Sequence, residues 1–376
     1  MKNGTNFAPG LEGVVAAETR LSHVDGLAGE LIIGGFALEE LAERATFEET
    51  VYLLWHGRLP THPELNNFQQ ELAALRPLPP PTLALLESIA AENVPVMDAL
   101  RMGAGTLNLG TADEQLAVAI VARFPTLVAA YWRLLNEQDP IAPRPNLNHA
   151  ANYLYMLTGQ LSSEGKVRGL ETYLNTVVDH GLNASTFAAR VIMATGSDLV
   201  SAVTGAVGAL KGPLHGGAPG PALDMVFEIG TADNAEPYLR AKLERGERLM
   251  GFGHRIYKVR DPRAEVLAAA AEKMFTADGD RALYELAKEV EGTAVTLLEE
   301  YKPGRNLQTN VEFYTALLLH GLGLETVLFT PTFAISRAAG WIAHCLEQQQ
   351  YGRLIRPQSA YIGETGLVWQ PVEQRK

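Results

Sequence analysis

The sequence predicts a mainly helical protein, and three observations predict it. Amphipathic runs of helical period recur along most of the 376-residue chain. No strands alternate with them in a βαβ rhythm, which argues against a Rossmann or barrel architecture. Thr-x-x-Glu signals stand directly ahead of apolar runs, as they do at helix starts. Hydrophobic residues make up 47% and charged residues 20%, a composition that folds throughout and leaves no room for a long disordered segment. The length suits two domains, or one large domain with an inserted lobe.

The elements follow in chain order. Segments 22–24 and 30–33 flank Asp25-Gly26 and predict a short hairpin, because glycine accepts the positive φ that a tight turn needs. Thr46 and Glu49 form a capping box before Val51-Tyr52-Leu53-Leu54-Trp55, with Gly57 placed to end that helix. Thr61 and Glu64 repeat the signal, and Pro63 sits in the first turn, where its missing N–H costs nothing. Further helices are predicted over 98–107, 114–121, 127–136, 148–157, 169–179, 185–194 and 198–210. The last carries Ala202, Gly205, Ala206, Gly208 and Ala209, small residues that let another helix approach closely. It ends at Gly212-Pro213 and passes into Leu214-His215-Gly216-Gly217, a backbone suited to close approach of a ligand. A charge-rich stretch over 236–248, then Met250-Gly251-Phe252-Gly253-His254 and Asp261-Pro262-Arg263, reads as a separate lobe.

Charge and cysteine content narrow the class. Lysine and arginine number 31 against 43 acids, a formal charge of -12, and no basic stripe points to nucleic acid or an anionic membrane. Any anionic ligand is therefore bound by a local cluster. Cys345 is the single cysteine, which excludes an internal disulfide framework and a cysteine-based metal cluster. The first twenty residues show no leader pattern, and no apolar run is read as reaching the roughly 18 residues that span a bilayer. A soluble cytoplasmic protein without metal is the expectation.

Three histidines stand in unusual settings: His180 beside Asp179 and before Asn183-Ala184-Ser185, His215 among glycines, and His254 between Gly253 and Arg255. Taken singly, each reads as a hydrogen-bonded structural histidine; the glycine-rich surroundings point toward function. There is no His-Glu-x-x-His for a metal, no complete dinucleotide fingerprint around Gly251-x-Gly253, and no Gly-x-Ser-x-Gly elbow. Arg263, Arg337 and Arg356 lie in tight contexts, and guanidinium forks match carboxylates. One such arginine alone reads as a surface ion pair. Three histidines and three arginines together suit a small polyanionic substrate. Glu312, within Asn310-Val311-Glu312-Phe313-Tyr314, reads equally as a buried base of raised pKa or as a helix-start carboxylate.

Across nearly its whole length the chain resembles the citrate synthase family. The resemblance is carried by His23-Val-Asp-Gly-x-x-Gly, Phe47-Glu-Glu-x-x-Tyr-Leu-Leu-Trp, Asn152-Tyr-Leu-Tyr-Met and His180-Gly-Leu-Asn-Ala-Ser-Thr-Phe. It continues through Lys211-Gly-Pro-Leu-His-Gly-Gly-Ala, Gly251-Phe-Gly-His-Arg-Ile-Tyr-Lys, Asp261-Pro-Arg and Asn310-Val-Glu-Phe-Tyr. Phe333-x-x-Ser-Arg-x-x-Gly-Trp-x-x-His and Arg356-Pro close the series in family order.

The resemblance implies an all-α fold with a large helical domain, 1–216 and 329–376, and a small helical domain, 217–328, that closes over the substrates. It implies a homodimer, with a higher oligomer left open, in which Arg356 reaches the partner's site. His180, Asn183, Arg263, Phe333 and Arg337 would bind oxaloacetate. His215, His254 and Glu312 would carry catalysis, and Lys258, Arg305 and Asn310 would hold coenzyme A. The implied reaction condenses acetyl-CoA with oxaloacetate and hydrolyses citryl-CoA to citrate and CoA, with no cofactor beyond the thioester substrate. A 2-methylcitrate synthase using propionyl-CoA differs by one methylene, and no motif separates the two. Two residues depart from the family pattern: Glu312 stands where aspartate is usual, and Gly34 where an arginine is expected. Those departures keep open a weakly active paralogue with a ligand-sensing or assembly role.

Overall fold

The computed structural model describes residues 7–216, 220–254, 256–278 and 280–375. The predicted hairpin is there. β1 (Ser22–Asp25) pairs antiparallel with β2 (Glu30–Ile33), and a third strand the sequence did not announce, β3 (Phe36–Ala37), pairs with β2. The connection is longer than a two-residue turn: Asp25 Oδ1 accepts from the backbone N–H groups of Leu27 and Ala28, and the positive φ falls on Gly29 at 74°. Gly26 is needed for space instead, since a Cβ there would lie 2.3 Å from the carbonyl oxygen of Ile256.

Sixteen α-helices follow among the described residues. The first ten are α1 (Leu38–Ala42), α2 (Phe47–His56), α3 (His62–Leu75), α4 (Pro80–Ala91), α5 (Val96–Ala104), α6 (Leu116–Leu135), α7 (His149–Thr158), α8 (Glu164–Val177), α9 (Ala184–Met193) and α10 (Leu199–Leu210). The rest are α11 (Gly220–Ile229), α12 (Ala235–Glu244), α13 (Pro262–Asp278), α14 (Arg281–Tyr301), α15 (Val311–Gly321) and α16 (Phe329–Tyr351). The capping box of α2 is formed in both directions, with Glu49 N–H on Thr46 Oγ1 at 3.3 Å and Thr46 N–H on Glu49 Oε2 at 2.7 Å. Asn148, Ser163, Asn183 and Asp198 cap α7, α8, α9 and α10 by the same chemistry.

Two expectations are corrected at α6. The runs predicted over 114–121 and 127–136 are one continuous helix with Pro125 inside it. The helical segment Asp113–Leu135 is also long and apolar enough to cross a membrane, contrary to the reading that no run reaches that length. Its place in the fold accounts for the apolarity: 78% of its apolar window is buried within the protein. Arg123 on this helix is satisfied inside, donating to the carbonyls of Leu75, Pro77 and Leu107 and to Thr111 Oγ1.

One apolar cluster runs through the whole molecule, with α16 at its centre, where Trp341, Ile342 and Cys345 are fully buried. α13 packs between α8 and α15 and so joins the C-terminal half of the chain to the first ten helices. The expected domain boundary at Gly217 lies outside the described residues. Gly34 has φ 57°, and a Cβ there would meet the Leu53 side chain at 2.7 Å, so an arginine at this position would be strained.

Candidate active site

A cleft of about 710 Å³ lies between the segments 180–183 and 214–216 and the start of α16 on one side and the segments around 243–263 and 298–315 on the other. Its lining brings together His180, Asn183, His215, His254, Arg263, Arg305, Asn310, Glu312, Phe333 and Arg337. Lys258 and Arg356 do not line it, and both are exposed. Arg248 and Lys302 line it beside Arg305; the sequence reading passed over both, because nothing in their local context distinguishes them from surface charges.

Two arginines are buried in the cleft wall. Arg263, in the first turn of α13, chelates Asp261 through Nε to Oδ1 at 3.0 Å and Nη2 to Oδ2 at 2.8 Å. Burial opposes its charge, but Asp261 outweighs that and raises its pKa. Arg337 on α16 is 2% exposed, donates from Nε to the Val177 carbonyl at 2.7 Å and stacks on Phe333 with the guanidinium carbon 4.6 Å from the ring centroid. Among the described residues no carboxylate forms a salt bridge with it. Burial lowers its pKa to about 10, so at neutral pH it remains a cation available to an anionic ligand.

The histidines are held neutral. Burial first, then Arg263, lowers His254 to about 4; burial, then Arg337, lowers His215 to about 4. His180 is displaced in the same direction by burial, Arg263 and Arg337. The two cleft arginines therefore supply the positive charge, and the imidazoles act as neutral donors or acceptors.

Backbone geometry assigns two of the tautomers. The N–H groups of Ile256 and Tyr257 both point at His254 Nδ1, each at 3.1 Å, so the ring proton is on Nε2. That nitrogen lies 3.4 Å from Arg263 Nη2, a long contact in which the guanidinium can only donate; a ligand oxygen placed beside both would take over that donor and receive the Nε2 proton as well. For His215, the backbone N–H of Ser185 points at Nε2 from 3.3 Å and the Ser185 hydroxyl lies 2.7 Å from the same atom. A backbone N–H cannot turn around, so Nε2 is the acceptor and Nδ1 carries the proton.

Several of these contacts involve residues that stand in the quoted motifs but to which the sequence assigned no role. Trp341 Nε1 donates to Ser185 Oγ at 3.1 Å, and Tyr257 hydroxyl lies 3.1 Å from His180 Nε2. Behind His180, His344 Nε2 meets Asp179 at 3.1 Å while Arg190 Nη1 donates to His344 Nδ1 at 3.0 Å. Asn183 and Asn310 line the cleft and also brace its backbone. Asn183 accepts from Thr186 N–H and donates to the Gly181 carbonyl, and Asn310 accepts from Glu312 N–H and donates to the Gly253 carbonyl, which leaves each amide a second N–H. Glu312 opens α15, and burial raises its pKa while Arg263 partly opposes. Among the described residues, no cluster of three or more histidine, cysteine or acidic residues is arranged to hold a metal.

Residues 10–358 match the model of the citrate synthase C-terminal domain. The chain belongs to the citrate synthase family. It is 42% identical to the citrate synthase of Haloferax volcanii over 97% of this chain and 98% of that one. It is 38% identical to a citrate/2-methylcitrate synthase of Bacillus subtilis over 96% of this chain and 98% of that one. The solved citrate synthase of Thermoplasma acidophilum, in ternary complex with carboxymethyl coenzyme A and oxaloacetate, superposes with a TM-score of 0.87 at 28% identity, covering 98% of this chain and 99% of its own. The all-α fold and an acyltransferase of this family are thereby established for the chain.

Proposed function

We propose that the cleft condenses acetyl-CoA with oxaloacetate and then hydrolyses the citryl thioester. Two tautomers fixed by backbone N–H groups, in one cleft with two buried arginines, carry this reading. A thioester methyl is a very weak carbon acid, so removing its proton needs both a placed base and a donor on the carbonyl where enolate charge develops. Glu312 supplies the base, made stronger by burial. His215 supplies the donor through Nδ1–H. The enol carbon then attacks the oxaloacetate ketone, whose oxygen accepts from His254 Nε2–H and Arg263 Nη2. Arg337 and Arg263 neutralise the carboxylates and fix their orientation. Water finally cleaves the C–S bond, releasing citrate and CoA. The steps use only the chain's side chains, the two substrates and water.

Arg248, Lys302 and Arg305 line the same cleft and form a local basic group for the CoA phosphates. Lys258 does not line the cleft, and its backbone N–H ties its loop to the Gly26 carbonyl at 2.8 Å. The reading also includes closure of a small domain over the cleft and assembly as a homodimer. After α16 the chain has no further α-helix or strand to its last described residue and exposes Tyr361, Ile362, Leu367, Val368 and Trp369. A second copy covering that strip would bring Arg356, exposed here, toward the partner's cleft.

Mixing the protein with oxaloacetate and acetyl-CoA or propionyl-CoA, and following free thiol, tests the reaction and the acyl preference together. Thiol release with citrate formed supports the proposal; no turnover with either thioester overturns it. Faster turnover with propionyl-CoA would instead favour the 2-methylcitrate reaction, to which the Bacillus subtilis relative's name lends weight.

A further inference from the structure

Behind the cleft, away from the substrates, Glu291 on α14 is 4% exposed and carries four partners. Thr309 Oγ1 donates to Oε1 at 2.7 Å and Tyr314 hydroxyl to Oε2 at 2.5 Å. Arg260 Nη1 stands 2.8 Å from Oε1 and Lys288 Nζ 3.3 Å from Oε2. Burial would raise this carboxyl, but the bonds from Tyr314 and Thr309, with Arg260 and Lys288, outweigh it and hold it below the ordinary range. It is an anion at neutral pH.

The partners are placed to matter. Thr309 and Tyr314 stand three residues before and two after Glu312, so the first turn of α15 is pinned from both sides to a single carboxylate. Arg260 belongs to the other segment of the site, between His254 and Arg263. The two segments are also laced by backbone, with Gly253 N–H on the Gln308 carbonyl at 2.7 Å and Asn310 N–H on the Gly251 carbonyl at 2.9 Å. Asp261 Oδ2 accepts from Val311 N–H at 3.3 Å. None of these other ties reaches α15 beyond Val311; the tie from Tyr314 does.

We infer that Glu291 is a positioning residue that sets where the Glu312 carboxylate stands relative to the substrate methyl. The inference rests on Glu312 being the base. Glu291 touches no substrate. Its loss lets the first turn of α15 shift, and a displacement of ~1 Å at a reacting group costs on the order of 10²-fold in rate. Oxaloacetate binding is expected to survive, because Arg263 keeps Asp261 and His254 keeps its two backbone donors.

The test uses the full chain and the variants Glu291→Gln and Tyr314→Phe. Glu291→Gln is expected to lower kcat about tenfold or more, with the calorimetric Kd for oxaloacetate within about threefold of the parent. Tyr314→Phe is expected to do the same to a smaller degree. With methyl-deuterated acetyl-CoA the slowed variants should show a primary isotope effect on kcat, since the slowed step is proton removal. A purely structural role would not produce that pattern. A folded Glu291→Gln with kcat unchanged, with equal losses in kcat and oxaloacetate affinity, or with no isotope effect overturns the inference. Should Glu291→Gln not fold, Tyr314→Phe decides by the same criteria. Glu312→Gln run in parallel separates the two levels. Full turnover there removes the base assignment and this inference with it, whereas a dead Glu312→Gln beside an unaffected Glu291→Gln overturns the positioning role alone.

Discussion

Ser185 and His215 meet twice: the Ser185 backbone N–H points at His215 Nε2 from 3.3 Å, and the Ser185 hydroxyl lies 2.7 Å from the same nitrogen. The serine hydroxyl accepts from Trp341 Nε1 at 3.1 Å, and its single proton is shared between His215 Nε2 and Asn183 Oδ1, the latter 2.9 Å away. Ser185→Ala leaves the backbone donor and removes the hydroxyl, so the tautomer persists while the ring loses one of its two supports. One hydrogen bond of this kind is worth roughly 1 kcal/mol, about a factor of five in rate. Steady-state kinetics should show kcat reduced about fivefold at nearly constant KM for oxaloacetate. An unchanged kcat would show that the backbone contact suffices.

Arg337 is predicted to set oxaloacetate affinity. Its Nε is committed to the Val177 carbonyl and its plane to the Phe333 ring, so only the remaining nitrogens can face a carboxylate. Lysine keeps the charge but cannot reproduce the fork or the stack. Arg337→Lys should raise KM for oxaloacetate by about 100-fold or more, on the scale of breaking a buried charge-assisted pair, with a smaller effect on KM for the thioester. Equal changes in both constants would place Arg337 outside the oxaloacetate contact.

How much of this was legible in the sequence depends on whether a feature is local. The α2 cap was readable because Thr46, Glu49 and Gly57 act within one helix. The histidines and Arg263 were readable through short motifs and the family resemblance. Features that depend on approach across the fold were not. Gly26 was read as a φ requirement, but its reason is Ile256, which the sequence places 230 residues away. The runs 114–121 and 127–136 read as two helices, yet burial of the turns on both sides of Pro125 against several neighbours keeps α6 whole. Ser185 and Tyr257 stand in family motifs without an assigned role and Glu291 stands in none, and their roles appear only when the elements that carry their partners are assembled.

A buried acidic pair outside the cleft makes stability depend on pH. Glu171 is 5% exposed, and burial, then the neighbouring Glu48, raises its pKa to about 7 against 4.5 when unperturbed. Between those values the folded state binds the proton that the unfolded state releases. The carboxyl therefore costs nothing near pH 4.5 and becomes increasingly destabilising as pH rises to 7 and above. Glu171→Gln should accordingly raise stability at pH 8 by on the order of 1 to 3 kcal/mol and by little at pH 5. Denaturant titrations at the two pH values check this, and a gain larger at pH 5 than at pH 8 would refute the sign.

The hairpin turn and the His254 loop should fail together. A Cβ on Gly26 would stand 2.3 Å from the Ile256 carbonyl oxygen, a distance no real Cβ contact tolerates, and backbone rather than a flexible side chain has to yield. The same loop presents the Ile256 and Tyr257 N–H groups to His254 Nδ1 and is tied to the turn through Lys258 N–H on the Gly26 carbonyl at 2.8 Å. Gly26→Ala therefore pushes directly on the two donors that fix the His254 tautomer. Overpacking of this kind costs typically ~1 to 3 kcal/mol of stability. If the loop alone moves, KM for oxaloacetate should rise and kcat fall at a temperature where the variant is still folded, because His254 Nε2–H no longer faces the ketone. Gly29→Ala serves as the comparison: it is strained by its φ of 74° and meets the Val259 side chain at 2.7 Å rather than the backbone that carries the His254 donors, so it should lose stability with less effect on oxaloacetate. Gly26→Ala losing stability while keeping parental kinetics would show that His254 holds its orientation without the turn.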